Sequence, residues 1–195
     1  MNDEEFNTIV HKYRDEPAGS LEFLPSVARL IDTDHCKHLT QILHSDNQKW
    51  ERKLAVDNLH TSLPTVRGVY MFVWRPHVQF YIEPESVERP LWILYVGKAV
   101  TEGGTHDNIK CRYQTEYSRY VGKDPSTLWS GTPAVSREGC LSRFLTLRPL
   151  EYWFLAVSNV RDISVIERQL IRVFRPPLNR QHRAVLRPGQ PQPAF

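Results

Sequence analysis

The chain has 195 residues, of which 41% are hydrophobic and 24% charged, with a formal net charge of +3. Its longest apolar run, Leu91–Gly97, is about a third of the ~20 residues that a membrane-spanning helix needs, and the acidic start Met1-Asn2-Asp3-Glu4-Glu5-Phe6 has no signal-peptide profile. The expectation is one globular domain in the cytoplasm, with no membrane partner and at most an appendage.

The charge is unevenly spread. Residues 1–60 carry 7 Lys/Arg against 11 Asp/Glu, residues 61–157 carry 11 against 9, and residues 158–195 carry 7 against 2. A basic C-terminal third suits a phosphate-rich partner, and equally a solvated tail. Cys36, Cys111 and Cys140 are scattered with no CxxC pair, which fits a reducing compartment rather than a disulfide framework or zinc finger.

In chain order, residues 1–62 read as a helical N-terminal extension. Its pieces are Glu4–Arg14, Ser20–Asp32 and Asp34–Leu59, punctuated by Pro17, Gly19 and Asp32-Thr33-Asp34. From Leu63 the character turns to β. Val66–Trp74, Leu91–Gly97 and Tyr152–Val157 are rich in β-branched and aromatic residues and read as strands. The acidic, Pro-bearing stretch between the first two reads as an extended hairpin loop. Asp107 is a candidate cap for a helix running to about Val121. Residues 122–149 are mostly loop, with a short helix around Cys140–Thr146. Asp162 caps a patterned helix, Ile163–Phe174, stopped by Pro176-Pro177. Residues 183–195 form a basic, Pro-rich tail. The order implies an α+β domain over 63–182, a small antiparallel sheet flanked by helices.

Two helices carry an unusual residue. On a wheel of about 100° per residue, Glu167 falls within the stripe formed by Ile163, Ile166, Leu170, Ile171 and Phe174. A carboxylate on a core-facing stripe costs several kcal/mol, so about that much must come back from a partner. That partner is either an arginine from another element or a divalent metal, whose preference is for oxygen ligands. On the earlier helix, Arg112, Glu116, Arg119 and Lys123 form a ridge beside the face of Ile109, Tyr113, Tyr117 and Tyr120. Arg112 and Glu116 read as an i,i+4 pair, or Arg112 as a phosphate grip.

Gly68-Val69-Tyr70 on the first strand, followed by Tyr95-Val96-Gly97 on the second, resembles the paired signature of the GIY-YIG nuclease family. Arg112, Glu167 and Asn179 follow in the order that family requires, over residues 68–180. The resemblance implies a three-stranded antiparallel sheet flanked by helices that hydrolyses DNA phosphodiesters with one divalent ion, Mg²⁺ or Mn²⁺. It implies that Glu167 holds the metal, Arg112 stabilises the phosphate and Asn179 supports the site. Tyr70 and Tyr95 would orient water and substrate, with Tyr70 the candidate base. A free tyrosine ionises near pH 10, so a base at that position needs a nearby cation, Lys98 or the metal.

One position departs from the pattern. The family usually has His or Tyr four residues after the arginine, where this chain has Glu116, with Tyr117 next. In a regular helix Tyr117 lies about 140° from Arg112. Either Glu116 takes over that role, or the helix carries a π-bulge, or the role is unfilled.

The 25-residue spacing from Tyr70 to Tyr95 and the run Tyr95-Val96-Gly97-Lys98-Ala99 are similar to the small restriction endonucleases of this fold. A self-contained, site-specific enzyme of restriction or defence is therefore the leading expectation. The alternatives are a structure-specific repair or recombination nuclease and a non-catalytic nucleic-acid-binding module with a decayed site. A palindrome-cutting enzyme with one site per subunit acts as a dimer, so a homodimer is expected and the N-terminal helices are candidates for building it. Arg172, Arg175, Arg180 and Arg183 are candidate DNA contacts. Asp34-His35-Cys36-Lys37-His38 lacks a second group at zinc spacing and reads as a solvated helix start.

Overall fold

The computed structural model describes residues 49–76, 80–83, 86–88, 91–100, 107–124 and 136–179, with four helical positions between Thr33 and Gln41. The first two expected N-terminal helices and the His35/His38 pair lie outside the described residues, as does the tail from Arg180.

The element order is β1 (Glu51–Leu54), a 3₁₀ turn (Leu59–Ser62), β2 (Gly68–Trp74), β3 (Phe80–Glu83), β4 (Ser86–Glu88) and β5 (Trp92–Ala99). There follow α1 (Ile109–Arg112), a π-helical turn (Tyr113–Tyr117), α2 (Arg137–Phe144), β6 (Leu150–Ala156) and α3 (Val160–Phe174). Four strands form one antiparallel sheet in the order β1-β6-β2-β5. Strands β3 and β4 pair with each other in a separate hairpin, inside the stretch expected to be loop.

The sheet thus has four strands, not three. The extra one, β1, lies where a helix was expected. Its sequence Glu-Arg-Lys-Leu has no apolar alternation, and as an edge strand it needs little. It is held by its ladder to β6 and by the Arg52 guanidinium, 4.1 Å from the centre of the Trp153 ring.

Alternation along the central strands divides the core in two. Val69, Met71 and Val73 of β2, with Val96 and Leu155, pack against Ile163, Ile166, Leu170 and Ile171 of α3. Tyr70 and Phe72, with Leu94, Tyr152 and Phe154, face the other way, onto Ile109, Tyr113, Tyr117 and Leu141. Each fully buried aliphatic side chain contributes about 1.5–3 kcal/mol, so the α3 stripe alone fixes that helix on the sheet. Among the described residues, no helix is long and apolar enough to cross a membrane.

Candidate functional site

The two signature glycines have distinct local reasons. Tyr70 pairs across the β2–β5 ladder with Gly97, and a Cβ at Gly97 would stand 2.6 Å from the Tyr70 ring. Gly97 is therefore the seat of the Tyr70 ring. At Gly68 a Cβ would collide with the Leu155 carbonyl of the neighbouring strand. The close approach at these glycines is made by a side chain in one case and backbone in the other.

Tyr70 and Tyr117 are both buried, and their hydroxyls hydrogen-bond at 2.9 Å. Tyr95 completes the group, its ring centre 6.3 Å from that of Tyr70 and 5.8 Å from that of Tyr117. Tyr117 reaches this position because the helix does carry a π-turn. The Ser118 amide donates to the Tyr113 carbonyl at 2.9 Å, an i→i+5 bond. The widened turn inserts one residue after Arg112, so the fifth residue on takes the place that the fourth has in an α-helix. Thr115 and Ser118 donate their hydroxyls to the carbonyls of Cys111 and Gln114, both at 2.7 Å, which satisfies backbone acceptors around the irregular turn.

Arg112 is gripped by two carboxylates. Its Nε donates to Asp107 and its Nη1 to Glu116. The hydrogen bond that the guanidinium donates to Asp107 is the main cause that holds it firmly protonated, and Glu116 adds to it. Asp107 is thus the partner of Arg112 rather than the helix cap. The cap is Asn108, which accepts from the Cys111 amide at 2.9 Å.

Burial pushes the Tyr70 phenol well above its ordinary pKa, and Tyr95 and Tyr152 push it further. Tyr117 is raised in the same way. Tyr70, the candidate base, stands here as a buried phenol hydrogen-bonded to the Tyr117 hydroxyl. Tyr95 is only partly buried and has its hydroxyl 3.5 Å from Arg137 Nη2.

Glu167 and Lys98 meet on the other face of β5, the α3 side, where Lys98 pairs in register with Val69. Lys98 Nζ lies 2.8 Å from Glu167 Oε2, and the carboxylate side chain is only 12% exposed. The side chain that answers the buried carboxylate is therefore a lysine, where an arginine was expected. The approach is close but off the hydrogen-bonding direction, so Oε2 has a charge partner and no hydrogen bond. Such an oxygen fits a hard divalent cation, which in the case of Mg²⁺ keeps most of its waters. Among the described residues no three His, Cys, Asp or Glu side chains gather to hold a metal, and Glu167 is the carboxylate that would face one.

Asn179 is buried and acts like a short piece of strand. Its Oδ1 accepts from the Val96 amide at 2.8 Å and its Nδ2 donates to the Val96 carbonyl at 2.7 Å. With the Leu178 amide on the Leu94 carbonyl, it covers the outer edge of β5. Asn179 thus holds the edge of β5 through its two bonds to Val96. Arg172 is exposed on α3, and Arg175 closes that helix in a left-handed conformation, φ 45°. Arg180 and Arg183 lie outside the described residues.

Compared with protein-family models, with curated proteins and with solved structures, the chain matches none.

Sequence reasoning missed Arg137. The signal was present in Ser136-Arg137-Glu138, where Ser136 caps α2 by accepting from the Gly139 amide at 3.0 Å and Glu138 sits in the first turn. The surrounding Gly- and Pro-rich stretch hid it.

Proposed function

We propose that this chain is a metal-dependent endonuclease of GIY-YIG type that hydrolyses DNA phosphodiester bonds, site-selectively and in restriction or defence. One observation supports the reading above the others. Tyr70, Tyr95 and Tyr117 come from β2, β5 and the π-turn to form one cluster, linked through Glu116 and Arg137 to Arg112. The cluster supports Tyr117, one residue late in sequence, as the residue for the position that departs from the family pattern.

In this reading Arg112, held protonated, neutralises charge that builds on the phosphate. The neutral Tyr70–Tyr117 pair fixes the orientation of the trio. Tyr95, the partly exposed member, meets the attacking water. Glu167 would hold the divalent ion, which when bound supplies Lewis-acid polarisation of a phosphoryl oxygen. Lys98 holds the Glu167 carboxylate in place. β5 is an edge strand, so side chains of both its faces border the same margin of the sheet.

The test is Glu167→Gln, which retains shape and removes charge. DNA binding stays within about twofold of the parent, because the phosphate contacts that dominate affinity lie elsewhere, and cleavage is lost. Cleavage at the parent's rate overturns the metal-ligand role.

A second reading has its own observation. Both carboxylates on Arg112 occupy the group that a phosphate needs. A chain in which they never leave is a binding module that shifts DNA and turns over none.

A further inference from the structure

The cleft between the π-turn and α2 has a volume of about 460 Å³ and is bordered by Arg112, Glu116, Arg119, Arg137 and Glu138. Its charges are not paired evenly. Arg119 reaches Glu138 at 3.1 Å, and Glu138 also accepts from the Tyr120 hydroxyl at 2.9 Å, so that end is closed upon itself. At the other end Glu116 stands between two guanidiniums from different helices. Its Oε1 accepts from Arg112, and its Oε2 lies 3.5 Å from Arg137 Nη2. Arg137 has no closer described partner. Its two polar contacts, with Glu116 and with the Tyr95 hydroxyl, are both 3.5 Å long, and its side chain is 55% exposed.

We infer that this end of the cleft is a phosphate subsite in which Glu116 stands where one phosphate of a nucleic-acid backbone docks, with Arg137 and Arg112 as its two clamping residues. The chemistry is that of two planar guanidiniums converging on one oxyanion. A carboxylate fills the gap with one charge and two oxygens, and a phosphodiester offers the same charge with equivalent oxygens. An ordinary i,i+4 pair would account for Glu116 on Arg112 alone. It does not account for the second oxygen facing a guanidinium from another helix, nor for the loose contacts of that guanidinium. The contact of Arg137 with Tyr95 joins the subsite to the tyrosine trio. The identity of the ligand rests on the nuclease reading above; the existence of the subsite does not.

The experiment measures binding of a short fluorescent DNA duplex by anisotropy in metal-free buffer containing a chelator. The proteins are the full chain, Glu116→Gln, Arg137→Ala, the double variant, and Glu138→Gln, with circular dichroism to check each fold. Removing the resident carboxylate tightens binding roughly tenfold, and Arg137→Ala weakens it by a similar factor. In the double variant the gain from Glu116→Gln disappears. Glu138→Gln removes the same charge from the closed end and changes affinity by no more than about twofold. Unchanged or weaker binding by Glu116→Gln overturns the inference, as does an equal gain from Glu138→Gln, which would mean net charge alone is at work. Absence of DNA binding in every protein overturns it as well. Tightening that depends on Arg137 in a parent that cleaves no DNA with Mg²⁺ or Mn²⁺ leaves the subsite standing and removes the nuclease reading. A cleaving parent with no gain in Glu116→Gln does the reverse.

Discussion

Replacing Tyr117 by Phe isolates one buried hydrogen bond. The substitution keeps the ring, and so its contacts with Phe72 and Tyr95 at centroid distances of 5.1 and 5.8 Å. What goes is the 2.9 Å bond to the hydroxyl of Tyr70, a residue only 2% exposed. The stranded Tyr70 hydroxyl then carries its full desolvation penalty, about 1–3 kcal/mol, while removing both hydroxyls leaves two apolar edges in contact at little cost. Tyr70→Phe should behave as Tyr117→Phe does, and the double variant should lose less than the sum of the two, with a coupling of about 1 kcal/mol or more. In a chain of this size each kcal/mol lowers the melting temperature by about 2–4 °C. The assay is a double-mutant cycle from urea unfolding followed by tryptophan fluorescence. Single variants within about 0.3 kcal/mol of the parent and strictly additive would refute the bond as a structural element, since ordinary additivity holds to that margin. If Tyr117 also serves as the displaced site residue, Tyr117→Phe lowers cleavage by roughly 10²-fold or more while the fold persists.

Two further outcomes follow from the buried polar groups. Asn179→Ala strands the amide and the carbonyl of Val96 at once, bonds of 2.8 and 2.7 Å. It should cost roughly 2–4 kcal/mol in denaturant unfolding, and a loss below about 0.5 kcal/mol would show that Asn179 does not hold the β5 edge. Tyr70, Tyr117 and Tyr152 are raised mainly by burial, so the folded chain keeps phenolic protons that the unfolded chain releases near pH 10. Their contribution is therefore complete below about pH 10 and is lost as pH rises beyond it, because the unfolded state binds fewer protons there. Urea midpoints that stay flat from about pH 9 to 11 would contradict the burial of these hydroxyls.

Much of this arrangement was legible in the residues, and the failures have identifiable causes. Strands β2, β5 and β6 announce themselves because β-branched and aromatic side chains crowd both of their faces. Strand β1 does not, since a charged edge strand takes its stability from the ladder to β6 and from Arg52 on Trp153 rather than from an apolar pattern. The Glu167 stripe could be read directly, but its partner could not. Lys98 lies 69 positions away in sequence, and only the register of β5 against β2 turns its side chain toward α3. A helical wheel assumes a constant turn per residue, so it separates Tyr117 from Arg112 until the π-turn is introduced. Asp107 resembles a cap by type and place, yet its neighbour Asn108 makes the capping bond and frees Asp107 for Arg112.

The central claim is best tested by incubating supercoiled plasmid with the full chain and with Glu167→Ala, in Mg²⁺ and in Mn²⁺. The account predicts discrete fragments from the parent and none from the variant, with both proteins still shifting DNA in a gel. Plasmid left intact by the parent in both metals, or cut equally by the variant, would contradict it.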